Sequence, residues 1–573
     1  MAGARVLATA VACLALGACA GRPPAGNFTL SLVGTNDLHG AVLETNGRGG
    51  LALLDGYLSI LRAARQQDGG AVLVLDGGDL FQGTLESNLT EGSVVVDAYN
   101  TIGYQAATIG NHEFDYGPVG PAATPKSPAD DPRGALKQRL AQSRFPWVAS
   151  NLIETATGKP VSWPNVSPST ILTVNGVRIG IVGLITSEAL SQTIAANVPD
   201  LSVAPLDRAL IEEATRLRSS GATIVIGLAH AGGQCTDVSN PSDLSSCDGR
   251  SEILDVARAV PGGLVDAIVA GHRHSLIAHV VNGIPIIESA SRGRDFGRID
   301  FAVDRNSGRV TSHHVFPPQE VCERQVPGTP GCAPASAPGS EPARYEGRDV
   351  VASPRIAAVL EPAVARTKAL KEKPLGSARL TAPLVRSTTD AQSPVADLEA
   401  DWMRALVPGA DLAIMNSGGL RANLPAGPLT YGRLYELMPF DNLRMVISLT
   451  GAQLRTVIAE NMAQTGSIIV LSGVRARARC TGDQLTVDVV RDTGVPIPDN
   501  EVLKAVTNDF LVTGGDGFFT SIAPVHVDAT GDEIREEMAA MLTRDGGTWG
   551  EERVGRPHRI QFPGRRPLVC AAR

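Results

Sequence analysis

Short apolar runs alternate with amphipathic segments between residues 28 and about 318, and this alternation constrains the fold more than any other feature. The apolar runs are rich in Val and Ile and end at Gly or Asp, which is typical of buried strands. The predicted strands cover residues 28–33, 71–75, 179–184, 224–228, 267–270 and 284–287. Helical patterns lie between them, for example at 50–65, 133–144 and 206–219. We therefore predict an α/β domain over residues 28–318.

The whole chain has 573 residues, several times the length of an ordinary domain, so at least two large domains are expected. Its apolar share of 43% is enough for packed cores and excludes a mostly disordered chain. The formal net charge of −8 argues against binding to a nucleic-acid polymer, because a phosphate backbone requires a basic face. Any phosphate chemistry must therefore take place at a locally positive site.

Composition also divides the rest of the chain. Residues 319–352 are rich in Pro, Gly, Ala and Ser and are interpreted as a linker. Ser353 and Pro354 are typical of a helix start, so a connecting helix is predicted over 353–373. Residues 374–573 are predicted to form a second α/β or α+β domain. Within the first domain, residues 116–133 lack periodicity and are interpreted as a surface insertion.

The N-terminus has the features of an export signal. Arg5 precedes an apolar stretch over residues 6–16, which is too short to cross a bilayer. This stretch ends in Leu-Gly-Ala-Cys, which resembles a lipobox with Cys19 as the lipidated residue. The hypothesis is a signal peptide over 1–18 and an exported lipoprotein, periplasmic or on the cell surface, anchored to a membrane through Cys19. A plain signal peptide cleaved near Ala20 is the alternative.

Six further cysteines remain in the exported chain, and an even number there favours disulfides. Short sequence separations favour the pairs Cys235–Cys247 and Cys322–Cys332, which leaves Cys480 to pair with Cys570. A zinc cluster is the alternative, but the chain has no C-x-x-C spacing.

Polar, glycine-rich loops follow four of the predicted strands and the short segment 108–109. Their sequences are G-T-N-D-L-H at 34–39, D-G-G-D-L-F-Q-G at 76–83, G-N-H-E-F-D at 110–115, A-H-A-G at 229–232 and G-H-R-H at 271–274. In an α/β sheet, ligands bind outside the carboxyl ends of the strands, so these loops can converge on one site. They offer Asp, His and Asn but no thiolate, a ligand set that suits Zn, Mn, Fe or Co.

The ordered set of these loops resembles the calcineurin-like dinuclear metallophosphoesterases. In the second half, N-S-G-G-L-R at 416–421, P-F-D-N at 439–442, N-D-F at 508–510 and G-G-D-G-F at 514–518 resemble the C-terminal domain of the 5′-nucleotidase family. The similarity covers about residues 28–530. It implies a four-layer α/β/β/α sandwich, joined by a helix to a smaller C-terminal α/β substrate-binding domain.

The resemblance also implies two divalent metal ions and assigns their ligands. The first ion would be bound by Asp37, His39, Asp79 and His274. The second ion would be bound by Asp79, Asn111, His230 and His272, so that Asp79 bridges the pair. Such a pair lowers the pKa of a bridging water, which attacks phosphorus in line. His112 would lie beside the phosphoryl group, with Asp115 orienting its imidazole.

The same resemblance assigns substrate residues in the second domain. Phe440 and Phe510 would stack on a nucleobase, although a plain core role is the alternative for either ring. Arg421 would bind phosphate, and Asn442 and Asp516 would hydrogen-bond the base and ribose.

The activity implied is release of phosphate from nucleoside 5′-monophosphates, in nucleotide catabolism and salvage. The alternatives within the family are a 2′,3′-cyclic-nucleotide phosphodiesterase with 3′-nucleotidase activity and a UDP-sugar hydrolase. A thiosulfohydrolase fits less well. Asp397 stands where the family often carries Asn or Arg, which disfavours binding of a second phosphate group. From a different class, a non-catalytic nucleoside-binding lipoprotein is the remaining alternative. No obligate protein partner is predicted.

Overall fold

Two β-sheets packed face to face form the centre of the N-terminal domain in this computed structural model, which describes residues 26–249, 251–387, 393–464, 466–550 and 558–570. The strands of the seven-stranded sheet, in spatial order, are Val310–Glu320, Asp295–Asp304, Asn27–Thr35, Ala71–Asp76, Ala106–Thr108, Trp147–Val148 and Val166–Ser167. Those of the six-stranded sheet are Leu276–Val281, Ile284–Ser289, Ala267–Val269, Ile224–His230, Val177–Ile185 and Ser169–Val174. All six strands predicted from the sequence are present.

The inner faces of the two sheets bury a shared apolar core that includes Leu30, Leu73, Ile181 and Ile226. Helices cover the outer faces, so the order of layers is α/β/β/α, as predicted. The helices over the first sheet include Leu51–Gln67, Ser93–Ile102 and Gly134–Gln142. The second sheet is covered by Leu206–Ser219 and Glu252–Ala259.

Parallel pairing directs the predicted loops to one edge. Strand Ala71–Asp76 runs parallel to Asn27–Thr35 and to Ala106–Thr108, with Asp76 opposite both Thr35 and Ala107. In the second sheet, Ile224–His230 runs parallel to Val177–Ile185 and to Ala267–Val269. The loops that follow these strands therefore emerge at neighbouring carboxyl ends.

The segment interpreted as a linker lies against the N-terminal domain. Val321, Cys322 and Ala343 are buried in the core beneath the first sheet's helices, and the Tyr57 hydroxyl donates a hydrogen bond to the Cys322 carbonyl. These few apolar residues are enough to hold the segment against the domain. Its overall composition, which is dominated by Pro, Gly and Ser, does not reveal them. The connecting helix is Pro354–Glu372, and it continues through Pro362.

The C-terminal domain is built around a five-stranded sheet with strand order Ile469–Ser472, Leu412–Asn416, Val502–Asn508, Leu443–Thr450 and His526–Glu533. Its longer helices are Pro394–Ala405, Tyr431–Leu437, Gly451–Ala463 and Ile534–Asp545. Two three-stranded sheets complete it, one of Gly427–Thr430, Pro374–Leu380 and Thr548–Trp549 and the other of Gln484–Arg491, Val474–Thr481 and Ile560–Gln561.

All three predicted disulfides are present: Cys235–Cys247, Cys322–Cys332 and Cys480–Cys570. Within the part of the chain that the structure describes, no helix is both long and apolar enough to cross a bilayer. The predicted signal peptide and the lipidation residue Cys19 lie outside the described residues.

Candidate metal centre and substrate cavity

The side chains predicted as metal ligands sit on tight loops with unusual backbone conformations. Asp37, His39, Asp79, His272 and His274 all have positive φ angles between 50° and 79°. Such conformations are costly for residues other than glycine and concentrate at functional sites. Hydrogen bonds from the Asp37 amide to the Gly78 carbonyl (2.9 Å) and from the His39 amide to the Asp79 carbonyl (2.9 Å) hold two of these loops together.

Asp37, His39 and His274 form the first group of donor atoms, all within 4.8 Å of one another. The Nε2 atoms of the two histidines are 2.9 Å apart, and His274 Nε2 lies 3.3 Å from Asp37 Oδ1. Asp37 Oδ2 accepts hydrogen bonds from Asn36 Nδ2 and the His272 amide. Asp37 Oδ1 is buried without a hydrogen-bond partner among the described residues.

Asp79, His230 and His272 form the second group. His230 Nε2 lies 3.2 Å from Asp79 Oδ2, 3.2 Å from His272 Nδ1 and 3.1 Å from Asn111 Oδ1. Asp79 Oδ2 is also 3.9 Å from His39 Nε2 in the first group. The structure therefore brings all seven predicted ligands together, with the Asp79 carboxylate between the two groups.

Hydrogen bonds on the far side of the rings orient two of the histidines. His39 Nδ1 donates to the Gln82 carbonyl (3.0 Å), and His230 Nδ1 donates to the Gly77 carbonyl (2.8 Å). Because a carbonyl can only accept, each Nδ1 carries a proton, and Nε2 is the ring nitrogen that faces the other donors. Burial, reinforced by the nearby Arg421, holds the pKa of His39 well below its ordinary value, so this ring stays neutral. These donors fit divalent transition-metal ions.

Two buried glutamates, not predicted as site residues, connect the ligand loops from behind. Glu113 accepts hydrogen bonds from the amides of Asp79 (2.8 Å), Leu80 (2.6 Å) and Gly110 (2.7 Å). Glu288 accepts from the amides of Gly233 (3.1 Å) and Ser275 (3.3 Å), which follow the His230 and His274 loops. The acid inside G-N-H-E-F-D is the sequence signal that points to Glu113, whereas Glu288 lies in an apolar strand without any motif.

His112 lies beside the donor groups without belonging to either. Its Nδ1 is 2.6 Å from Asp115 Oδ2, and Asp115 Oδ1 accepts a hydrogen bond from the Thr193 hydroxyl (3.0 Å). Burial alone would lower the pKa of His112, but the carboxylates of Asp115 and Asp79 outweigh it and raise that pKa above its ordinary value. The imidazole is therefore suited to hydrogen bonding an anion through Nε2.

The predicted substrate residues of the C-terminal domain face the same space. The Phe440 ring lies 5.5 Å from the His112 ring, centroid to centroid, and the Arg421 guanidinium lies 5.8 Å from the Phe440 ring. Arg421 Nη2 donates to His39 Nε2 at 3.0 Å. Asp516 accepts a hydrogen bond from Asn416 Nδ2 (2.7 Å), and Asn442 Nδ2 donates to Asp509 (3.1 Å).

A cavity of about 620 Å³ lies between the two domains at this point. The N-terminal domain lines it with residues of the donor groups and with His112. The C-terminal domain supplies a second set of lining residues. The predicted site residues that line it are Asp79, Asn111, His112, Asp115, His272, His274, Arg421, Phe440, Asn442, Phe510 and Asp516.

The cavity wall also corrects two interpretations made from the sequence. Pro121, Thr124 and Lys126 of the predicted surface insertion line the cavity, as does Arg386, which was not predicted. Asp397 is not among the described residues that line it. Asp397 lies in the first turn of helix Pro394–Ala405, with Oδ1 3.8 Å from Arg559. The expectation that its charge opposes a second phosphate therefore has no structural basis.

A four-layer α/β/β/α sandwich, with clustered His, Asp and Asn donors at the carboxyl ends of its strands, defines a metallophosphoesterase that hydrolyses phosphoric esters. The sequence model of the calcineurin-like phosphoesterase family matches residues 30–276. The model of the 5′-nucleotidase C-terminal domain matches residues 367–523. The two matches together account for more than half of the chain, and the protein belongs to the 5′-nucleotidase family.

Individual relatives span nearly the whole chain at low identity. The silent protein UshA(0) of Salmonella typhimurium is 24% identical over an alignment of 522 residues, and the match covers 86% of either protein. A probable 5′-nucleotidase of Treponema pallidum is 25% identical over 544 residues, covering 87% of this chain and 88% of the relative. The crystal structure of a 5′-nucleotidase precursor from Thermus thermophilus has a TM-score of 0.72 at 24% identity, over 93% of this chain and 99% of that one.

Proposed function

We propose that this nucleotide-hydrolysing metallophosphoesterase releases phosphate from nucleoside 5′-monophosphates. One observation carries the proposal: one cavity is lined by Asp79, Asn111 and His112 from the N-terminal domain and by Phe440, Phe510 and Asp516 from the C-terminal domain. A nucleotide combines a phosphate, which suits the first set of residues, with a flat base, which suits the aromatic rings of the second. Aromatic rings stack on any base, so this wall suits nucleotides without selecting one.

The two donor groups would hold two divalent ions, with Asp79 available as a ligand to both. Ions bound there would polarise phosphoryl oxygens and lower the pKa of water. The chain's own residues then hold the substrate. His112, fixed through Nδ1 by Asp115, donates from Nε2 to a phosphoryl oxygen, and Arg421 contributes a second cationic donor. The C-terminal residues Phe440, Phe510 and Asp516 bind the nucleoside and so place its phosphate beside His112 and the donor groups.

A second candidate is hydrolysis of a pyrophosphate-linked nucleotide such as a UDP-sugar. Arg386 favours this candidate, because it lines the cavity and its Nε is buried without a hydrogen-bond partner among the described residues. Burial, together with the charge of Arg421, lowers the pKa of Arg386 to about 10. A second phosphate would relieve the repulsion between these two guanidiniums.

One substrate screen separates these candidates. Products are separated by chromatography after incubation with AMP, 3′-AMP, 2′,3′-cAMP or UDP-glucose, following EDTA treatment and re-addition of Mn or Zn. The monophosphates give phosphate directly, whereas UDP-glucose gives UMP and glucose 1-phosphate, and the cyclic nucleotide gives a nucleoside monophosphate first. We expect AMP to have the highest kcat/KM, and activity to depend on the added metal. The variant Arg386→Met should impair UDP-glucose hydrolysis more than AMP hydrolysis. Preference for 3′-AMP or the cyclic nucleotide would contradict the proposal.

The remaining part of the proposal concerns location. The segment over residues 1–18 and Cys19 support export and attachment to a membrane, at the periplasmic or outer cell surface. Radiolabelled palmitate incorporated by the wild type and lost in Cys19→Ala would support the lipid anchor, whereas label retained in that variant would contradict it.

A further inference from the structure

Arg292 belongs to the N-terminal domain but forms a hydrogen bond with the C-terminal domain. It lies in the loop between strands Ile284–Ser289 and Asp295–Asp304. Its Nη2 donates to the main-chain carbonyl of Arg421 at 2.6 Å. Arg292 itself is not among the described residues that line the cavity. Its side chain therefore contacts Arg421, the predicted phosphate-binding residue, from outside the cavity.

The backbone of Arg292 is bound to the metal-ligand loop. Its amide donates to the Asp37 carbonyl at 2.7 Å. The buried Asn36 side chain holds the same loop, because Asn36 Nδ2 donates to the Ala290 carbonyl (2.9 Å) and Asn36 Oδ1 accepts from the Ser289 amide (2.8 Å). Arg292 has a φ of 61° and Ala290 a φ of 44°. Non-glycine residues keep such conformations only where the surrounding contacts enforce them.

Arg292 therefore links the Asp37–His39 loop to Arg421, because it connects the Asp37 carbonyl to the Arg421 carbonyl. Arg421 Nη2 also lies 3.0 Å from His39 Nε2. A metal ion bound by His39 would take that lone pair, so the connection through Arg292 is the one that remains in the metal-loaded protein.

The charges around Arg292 disfavour a guanidinium at this position. Burial and the guanidiniums of Arg421, Arg294 and Arg386 together lower the pKa of Arg292 to about 10, against the opposing charge of Glu436. An apolar side chain at this position would avoid that repulsion. The hydrogen bond to the Arg421 carbonyl is what an apolar side chain could not provide.

We propose that Arg292 is a positioning residue, which fixes Arg421 relative to the metal ligands so that its guanidinium meets the phosphoryl group. The proposal rests on the function above only in taking Arg421 as a phosphate-binding residue. The reaction itself needs no proton or electron from Arg292. Its contribution should be the same for every phosphate ester, since all of them present the phosphoryl group to Arg421.

A double-mutant cycle tests this role. The wild type, Arg292→Met, Arg421→Met and the double variant are compared for kcat and KM on p-nitrophenyl phosphate and on AMP. Arg292→Met should lower kcat/KM about tenfold on both substrates, the value of one hydrogen bond from a charged donor. In the Arg421→Met background, the same substitution should have almost no further effect, because there is no guanidinium left to position.

Arg294→Met is the matched control, since it removes a neighbouring guanidinium from the same loop, and it should leave both substrates unaffected. Arg292→Lys should restore part of the activity and can replace the methionine variant in the cycle if that variant fails to fold. Equal losses with and without Arg421 would overturn the proposal, as would full activity in Arg292→Met. Hydrolysis of p-nitrophenyl phosphate without AMP hydrolysis would contradict the 5′-nucleotidase proposal while leaving this cycle measurable.

Discussion

The predicted metal ligands and the predicted nucleoside contacts differ in burial. Asp37, Asp79, Asn111 and His230 are at most 1% exposed, and backbone hydrogen bonds link their loops. Phe440, Phe510 and Asn442 are only partly buried. Metal ligation requires fixed donor positions, whereas stacking on a base tolerates small displacements. For the function proposed above, this difference predicts rigid metal ligation and an adjustable preference for the base.

One buried glutamate in each domain shows a further contrast. Glu113 accepts three backbone hydrogen bonds behind the predicted metal ligands. Glu399, in the helix Pro394–Ala405 of the C-terminal domain, is 2% exposed, and its Oε2 has no hydrogen-bond partner among the described residues. Burial raises the pKa of both carboxyl groups, that of Glu399 to about 8. Burying either acid costs stability, but the hydrogen bonds of Glu113 also connect the ligand loops.

Asp79→Asn should have the largest effect, because it removes the charge shared by the two donor groups. We expect kcat to fall by a factor of about a thousand or more. Bound metal, measured by elemental analysis of the purified protein, should also fall. Asp255→Asn, an exposed change on helix Glu252–Ala259, is the control. Wild-type activity in Asp79→Asn would contradict the shared-ligand assignment.

Glu113→Gln tests whether hydrogen bonds behind the ligands hold their geometry. Glutamine offers one acceptor oxygen and places an amide against backbone donors, so at least one of the three bonds is lost. Metal affinity, measured by competition with a chelator, should weaken about 10–100-fold. Glu361→Gln, on the exposed face of helix Pro354–Glu372, should leave it unchanged. Unaltered affinity in Glu113→Gln would show that the loops hold their positions without it.

Phe510→Ala tests the predicted stacking on the nucleobase without changing the metal ligands. Loss of stacking should raise KM for AMP about tenfold or more, while p-nitrophenyl phosphate hydrolysis is preserved. Phe562→Ala is the matched control, because Phe562 is partly buried against the same apolar cluster but does not line the cavity. A similar loss on both substrates would instead assign Phe510 to the core.

Glu399→Gln should have the smallest effect on activity and a measurable effect on stability. In the unfolded chain the Glu399 carboxyl has its ordinary pKa of 4.5. In the folded chain its pKa is about 8, so it keeps its proton up to that pH. Between these values the folded state binds more protons, so stability falls as pH rises. The glutamine variant lacks this dependence. Its melting temperature should exceed that of the wild type at pH 8 and match it near pH 4. A difference in melting temperature that is the same from pH 4 to pH 8 would contradict the raised pKa of Glu399.

Much of the N-terminal domain could be predicted because its signals are local. Apolar runs that end in Gly or Asp identify the strands, and each ligand follows its strand within a few residues. The packing of residues 319–352 could not be predicted, since it depends on Val321, Cys322 and Ala343 meeting a distant core. The same applies to Pro121 and Thr124, which line the cavity although their loop has no periodicity.

Periodicity was sufficient to locate the strands of the N-terminal domain along the chain, and cysteine spacing was sufficient to pair the six cysteines. The seven donor residues followed from the resemblance of the loop motifs to a known family. The relations between distant segments required the folded molecule: Glu113 and Glu288 behind the ligands, Asp397 turned toward Arg559, and Arg292 bound to the carbonyl of Arg421. The physical reason is the distance along the chain over which each interaction acts. Strand and loop signals act over a few residues, whereas a buried carboxylate or guanidinium takes its role from whichever backbone groups the packing brings within 3 Å.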